Sequence, residues 1–98
     1  MTNNLIANIL FSKASDAVFA TICEAYAHTD ELSYLDENEL SYLYSHLRYL
    51  VCVYKGSGHL ELIPLGLSIT AEHLKMDVDI LEKIFNDCLE KFEVINND

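Results

Sequence analysis

The sequence has 98 residues, enough for one domain and too few for two. Hydrophobic residues make up 51% of it, which supplies a core without disulfides or metals and excludes intrinsic disorder. Sixteen acidic residues against six basic ones give a net charge of −10, which repels polyanions and anionic membrane surfaces and attracts basic protein surfaces. The same charge also serves solubility.

Cys23, Cys52 and Cys88 are an odd, scattered set among apolar neighbours, so they read as reduced thiols rather than a disulfide framework. The first four residues carry no basic side chain. The apolar stretch Leu5 to Phe11 is broken by Asn8 and on its own is too short for a signal segment or a membrane span. These features predict a cytoplasmic protein with no membrane partner.

In chain order, Asn3 to Phe11 reads as a short helix. Ser12 or Ser15 can cap a second one from Asp16 to about His28, with Val18, Phe19, Ile22, Cys23 and Tyr26 on its apolar face. Thr29 to Asn38 is a polar connection pinned by Leu32, Tyr34 and Leu35. Asp36 and Glu39 have the spacing of a capping box. A helix follows to about Tyr54, with Leu40, Leu43, Tyr44, Leu47, Leu50, Val51 and Tyr54 at core spacing, and Gly56 is placed to end it in a left-handed conformation.

His59 to Leu65 alternates apolar and polar residues and holds the only proline, Pro64, which predicts a short edge strand. Thr70 can cap a short helix, Ala71 to Met76. Asp77 can cap a longer one with Leu81, Ile84, Phe85, Cys88, Leu89 and Phe92 on its core face. Phe92 to Ile95 then reads as a returning strand.

This order, and the pattern Ala71-x-x-Leu74-Lys75-Met76-Asp77-x-x-Ile80-Leu81 with Ile84, Phe85, Cys88 and Leu89 behind it, resembles the winged helix-turn-helix superfamily over Tyr42 to Ile95. The likeness is to small replication and regulatory domains of phages and plasmids. It implies a mainly α fold with a small β element (α+β): a winged-helix-like part over residues 39–98, preceded by N-terminal helices and a connection over residues 1–38. Lys75 stands where such turns usually carry glycine, so it has to take a left-handed conformation. No second wing strand follows Ile95. The would-be recognition helix carries Asp77, Asp79, Glu82, Asp87, Glu90 and Glu93 against Lys83 and Lys91, whereas DNA readers place basic and amide side chains there.

Two surfaces stand out as candidate partner sites. The helix from Glu39 to Tyr54 has a second stripe, Tyr42, His46, Tyr49 and Val53, which has to be buried by the N-terminal helices or by a partner or second copy. Asp79, Glu82 and Asp87 form either a solvated face or a negative patch for a basic partner. His28, His46, His59 and His73 lack metal-ligand spacing, Gly56-Ser57-Gly58 is neither a nucleophile elbow nor a phosphate loop, and no cofactor is implied. The expectation is a non-enzymatic regulatory or inhibitory module, of the kind a phage or mobile element encodes, that binds a protein partner with a basic surface through Tyr42, His46, Tyr49, Asp79, Glu82 and Asp87. The alternative is a dimeric winged-helix DNA-binding regulator using Lys75 and Lys83.

Overall fold

In a computed structural model that describes residues 2–96, the chain forms four α-helices: α1 (Thr2–His28), α2 (Glu37–Gly56), α3 (Leu62–Leu74) and α4 (Val78–Asn96). No strand occurs among the described residues, so the α+β winged-helix expectation is overturned. A short alternating segment becomes a strand only if another strand satisfies its N–H and C=O groups. Here Phe92–Ile95 lies within α4 and Leu62–Leu65 within α3, while His59–Glu61 form the turn that leads into α3.

Pro64 shows how this happens. It is the third residue of α3, inside the first turn, where an N–H has no intrahelical acceptor to lose. The preceding residues turn through Leu62 N–H to His59 C=O at 3.1 Å and Ile63 N–H to Leu60 C=O at 3.2 Å. The helix that the sequence divides at Thr70 is continuous. Thr70 is buried, and its hydroxyl donates back to the Gly66 carbonyl at 2.8 Å instead of capping. At the other predicted strand, Phe92 continues the helical series Leu81, Ile84, Phe85 and Cys88 and is buried with them.

The two predicted N-terminal helices are likewise one, 27 residues long and about 40 Å at 1.5 Å per residue. Ser15 does not cap anything; its hydroxyl donates to the Phe11 carbonyl at 2.8 Å, a bond that keeps serine inside a helix. This one helix matches the 42 Å long axis of the molecule.

Other local signals hold. Glu39 N–H donates to the Asp36 carboxylate at 2.8 Å, and Asp36 N–H donates to the Glu39 carboxylate at 3.0 Å, which completes the capping box of α2. Asp77 accepts from Asp79 N–H at 2.8 Å at the start of α4. Lys75 has φ 55°, and Lys75 and Met76 N–H groups donate to Glu72 and Ala71 carbonyls, a Schellman closure of α3 with Met76 buried under it. Gly56 departs from expectation. It remains helical as the last residue of α2, and Gly58 (φ +74°) makes the left-handed turn. A Cβ on Gly56 would lie 2.6 Å from Leu10 Cδ2, so α1 crosses the end of α2 closely.

α1 packs most extensively on α4 and next on α2, while α3 closes the far side against α2 and α4. α1 contributes mainly small residues to this packing, Ala14, Ala17, Val18 and Thr21, with Ile22. The large buried side chains come from Leu43, Leu47 and Val51 of α2, Leu74 of α3, and Leu81 and Ile84 of α4. Leu32 and Leu35 pin the connection between α1 and α2 as expected, whereas Tyr34 is exposed.

Candidate functional site: an aromatic groove between α1 and α2

The six residues predicted to bind a partner fall on different seams of the bundle. Tyr42 and His46 are half-buried where α2 meets α3. The Tyr42 ring stacks with His46 at 3.8 Å and with His73 of α3 at 4.1 Å. The His46 Nδ1 lies 2.8 Å from the Tyr42 carbonyl. It is α3, not the N-terminal helix, that covers this half of the stripe. Tyr49, further along α2, is 63% exposed. Asp79 and Glu82 are exposed on α4, while Asp87 is half-buried beside α1.

Lys75 sits in the α3–α4 turn, and Lys83 lies 3.9 Å from Glu31. Lys91 pairs with Glu24 at 2.7 Å and Lys55 pairs with Glu93. Three of the lysines are thus engaged by carboxylates of neighbouring elements.

The pairs formed by Lys83 and Lys91 line a recess of about 340 Å³ between α1 and α4, with Asp87, Glu90 and His28. Lys91 beside Glu24 lowers the Glu24 carboxyl pKa, and Glu24 in turn raises that of Lys91. No group of three or more potential metal ligands converges among the described residues.

The larger recess lies between α1 and the first half of α2, about 750 Å³ in volume. Phe19, Ile22, Cys23 and Tyr26 of α1 line one wall, and Leu40, Ser41, Tyr44 and Ser45 of α2 line the other, with Glu37 among them. The four α1 residues were expected to be core, but only Ile22 is buried. Phe19 is 62% exposed, Tyr26 50%, and Cys23 is exposed. The small residues Ala14 and Ala17 take the contact face instead, which rotates the large side chains of α1 toward α2's outer edge.

Phe19 meets Tyr44 edge-to-face at 6.4 Å. Past that pair, the guanidinium of Arg48 lies 4.4 Å from the centre of the Phe11 ring and 4.9 Å from that of Tyr44. Phe11 beside Arg48, Phe19 beside Tyr44, and Tyr26 in the recess with Leu40 and Glu37 set α1 and α2 antiparallel. The result is an aromatic groove with the Glu37 carboxylate in its lining and the Arg48 guanidinium beside it, against the Tyr44 ring. The sequence signal that could have revealed it is that α1 has more apolar positions than one contact face can bury.

The stretch Leu5–His28 of α1 is long and apolar enough to cross a membrane by length and composition. The shorter apolar stretch read from the sequence is therefore superseded. In this fold, part of that stretch is core. No protein-family model, curated protein or solved structure matches the chain.

Proposed function

We propose that the chain is a non-enzymatic binding module that docks on a protein partner and regulates or inhibits it by occupying its surface. The observation that carries this reading is the exposure of Phe19 (62%) and Tyr26 (50%) on a groove shared with Leu40 and Tyr44. Large exposed aromatic side chains lining a concave apolar surface are the usual anchors of a protein interface. Two antiparallel helices with a groove between them suit a third, amphipathic helix laid along it. The net charge of −10 steers the module toward partners with basic flanks.

Cys23 lines the groove and is exposed, so a photocrosslinker attached to its thiol reports what occupies it. The expected result is a crosslinked protein that is lost when Phe19→Asp and Tyr26→Asp are introduced and kept with Tyr49→Asp. Circular dichroism should remain unchanged for all variants. Retention of the same crosslink by the groove variant rejects the reading.

A further inference from the structure

Arg48 is the only arginine of the sequence, in a chain with sixteen carboxylate side chains. Among the described residues it makes no ion pair with any of them. Its guanidinium lies against the rings of Phe11 and Tyr44, and it is half-buried between α1 and α2. Packing against ring faces engages the plane of the guanidinium and leaves its in-plane N–H donors, the fork that matches a carboxylate, unused. Tyr44, one of the two rings, also lines the groove. Glu37 lines the groove in the first turn of α2, eleven positions before Arg48, which is about 16 Å along the helix axis. Glu37 also makes no ion pair among the described residues.

We infer that Arg48 and Glu37 fix the direction of the helix that docks in the groove: its carboxylate meets Arg48 and its cation, about eleven residues on, meets Glu37. This rests on the groove reading given above and names the chemistry of its occupant. A helix carries its acidic residues best at its N-terminus and its basic ones best at its C-terminus. The docked helix therefore starts at Arg48 and runs antiparallel to α2, in the direction of α1. Its apolar residues, at i, i+3, i+4 and i+7, cover Phe19, Tyr26, Leu40 and Tyr44. The negative end of its dipole then lies beside the N-terminus of α2, a favourable pairing. Arg48 is a specificity residue here, and its contact with the two rings holds the fork in place.

Three synthetic amphipathic helices test this by fluorescence anisotropy at low salt. They share one apolar face and differ at two positions eleven apart: Glu then Lys, Lys then Glu, and Gln at both. The Glu-then-Lys peptide should bind about tenfold tighter than the reversed one, as expected for a charge-assisted pair at an interface. Arg48→Gln should remove most of that preference, and Arg48→Lys, which keeps the charge, should restore part of it. Equal binding of all three peptides to the unmodified protein overturns the role of Arg48 and leaves the groove reading standing. Failure of every peptide to bind overturns the groove reading itself. A preference that survives in both Arg48 variants assigns the discrimination elsewhere and also overturns the inference.

Discussion

The ring of Tyr42 lies 4.1 Å from the imidazole of His73, tilted by 20°, so that α2 and α3 are joined at the surface by a stacked pair. Stacked aromatic pairs contribute roughly 0.5–1.5 kcal/mol beyond the area they bury. His73→Ala should lower the unfolding free energy by about 1 kcal/mol, read from urea denaturation, by the same estimate. Tyr42→Ala should cost more, because Tyr42 also stacks on His46. Tyr49 has no such neighbour and is 63% exposed, so Tyr49→Ala should stay within about 0.5 kcal/mol of the parent. Equal losses at positions 42 and 49 would show that the stack contributes nothing.

Lys75 holds a φ of 55° at the end of α3. A Cβ in the left-handed region costs roughly 1–2 kcal/mol, and glycine gives back about 0.5–1 kcal/mol of that through its more flexible unfolded chain. Lys75→Gly should therefore stabilise the protein by about 0.5–1 kcal/mol, raising its melting temperature by a few degrees. Gly58 has a φ of +74° with open space around it, so Gly58→Ala is expected to do the opposite through backbone strain alone.

How much of this fold was legible follows from the range over which each signal acts. The capping box at Asp36 and Glu39, the cap at Asp77 and the left-handed Lys75 depend on a few consecutive residues, and each is present as read. The segments His59–Leu65 and Phe92–Ile95 depend on whether a partner strand exists elsewhere. Alternation cannot supply that information, and Pro64 is as acceptable in the first turn of a helix as on a sheet edge. Ser15 can cap a helix or bond back within one, and only the neighbouring packing chooses. The groove was hidden for a related reason. Phe19, Cys23 and Tyr26 have core spacing, but the approach of α4 selects the smaller residues Ala14, Ala17 and Thr21 of the same helix. Large apolar side chains then remain on the flank.

The Glu24–Lys91 pair bridges α1 and α4 at 2.7 Å, and the hydrogen bond and charge of Lys91 hold the Glu24 carboxyl below its ordinary value of 4.5. A carboxyl lowered in the folded state contributes stability above its unfolded pKa and loses that contribution as pH falls through the folded one. Glu24→Gln should therefore destabilise the protein slightly at pH 7 and not at all at pH 2. The pair is exposed, so raising the salt concentration should shrink the difference at pH 7 as well. A difference that persists at pH 2 would point to packing, not charge.

The three thiols should separate by reactivity and tie the alkaline limit of stability to the core. Cys23 is exposed on the groove, Cys52 is half-buried with its pKa raised by burial, and Cys88 is fully buried with its pKa pushed up to about 12 by burial. Only the thiolate reacts rapidly with alkylating reagents. In the folded protein at pH 8, one equivalent of iodoacetamide should modify Cys23 first, and Cys88 should react only at the rate of unfolding, as peptide mapping would show. The Cys88 shift also has a thermodynamic side. A thiol whose pKa is raised on folding supports stability below its unfolded value of 9.0, and that support is lost as pH rises from there toward about 12. Tyr34, though exposed, is raised from 10.0 by partial desolvation of its hydroxyl and by the charge of Glu39, and acts in the same direction. Unfolding free energy should thus fall progressively above pH 9. Cys88→Ala should be less stable than the parent at pH 7, because it leaves a cavity beside Thr21, yet show a shallower fall from pH 9 to 11. Parallel falls in the two proteins would assign the alkaline instability to groups other than the buried thiol.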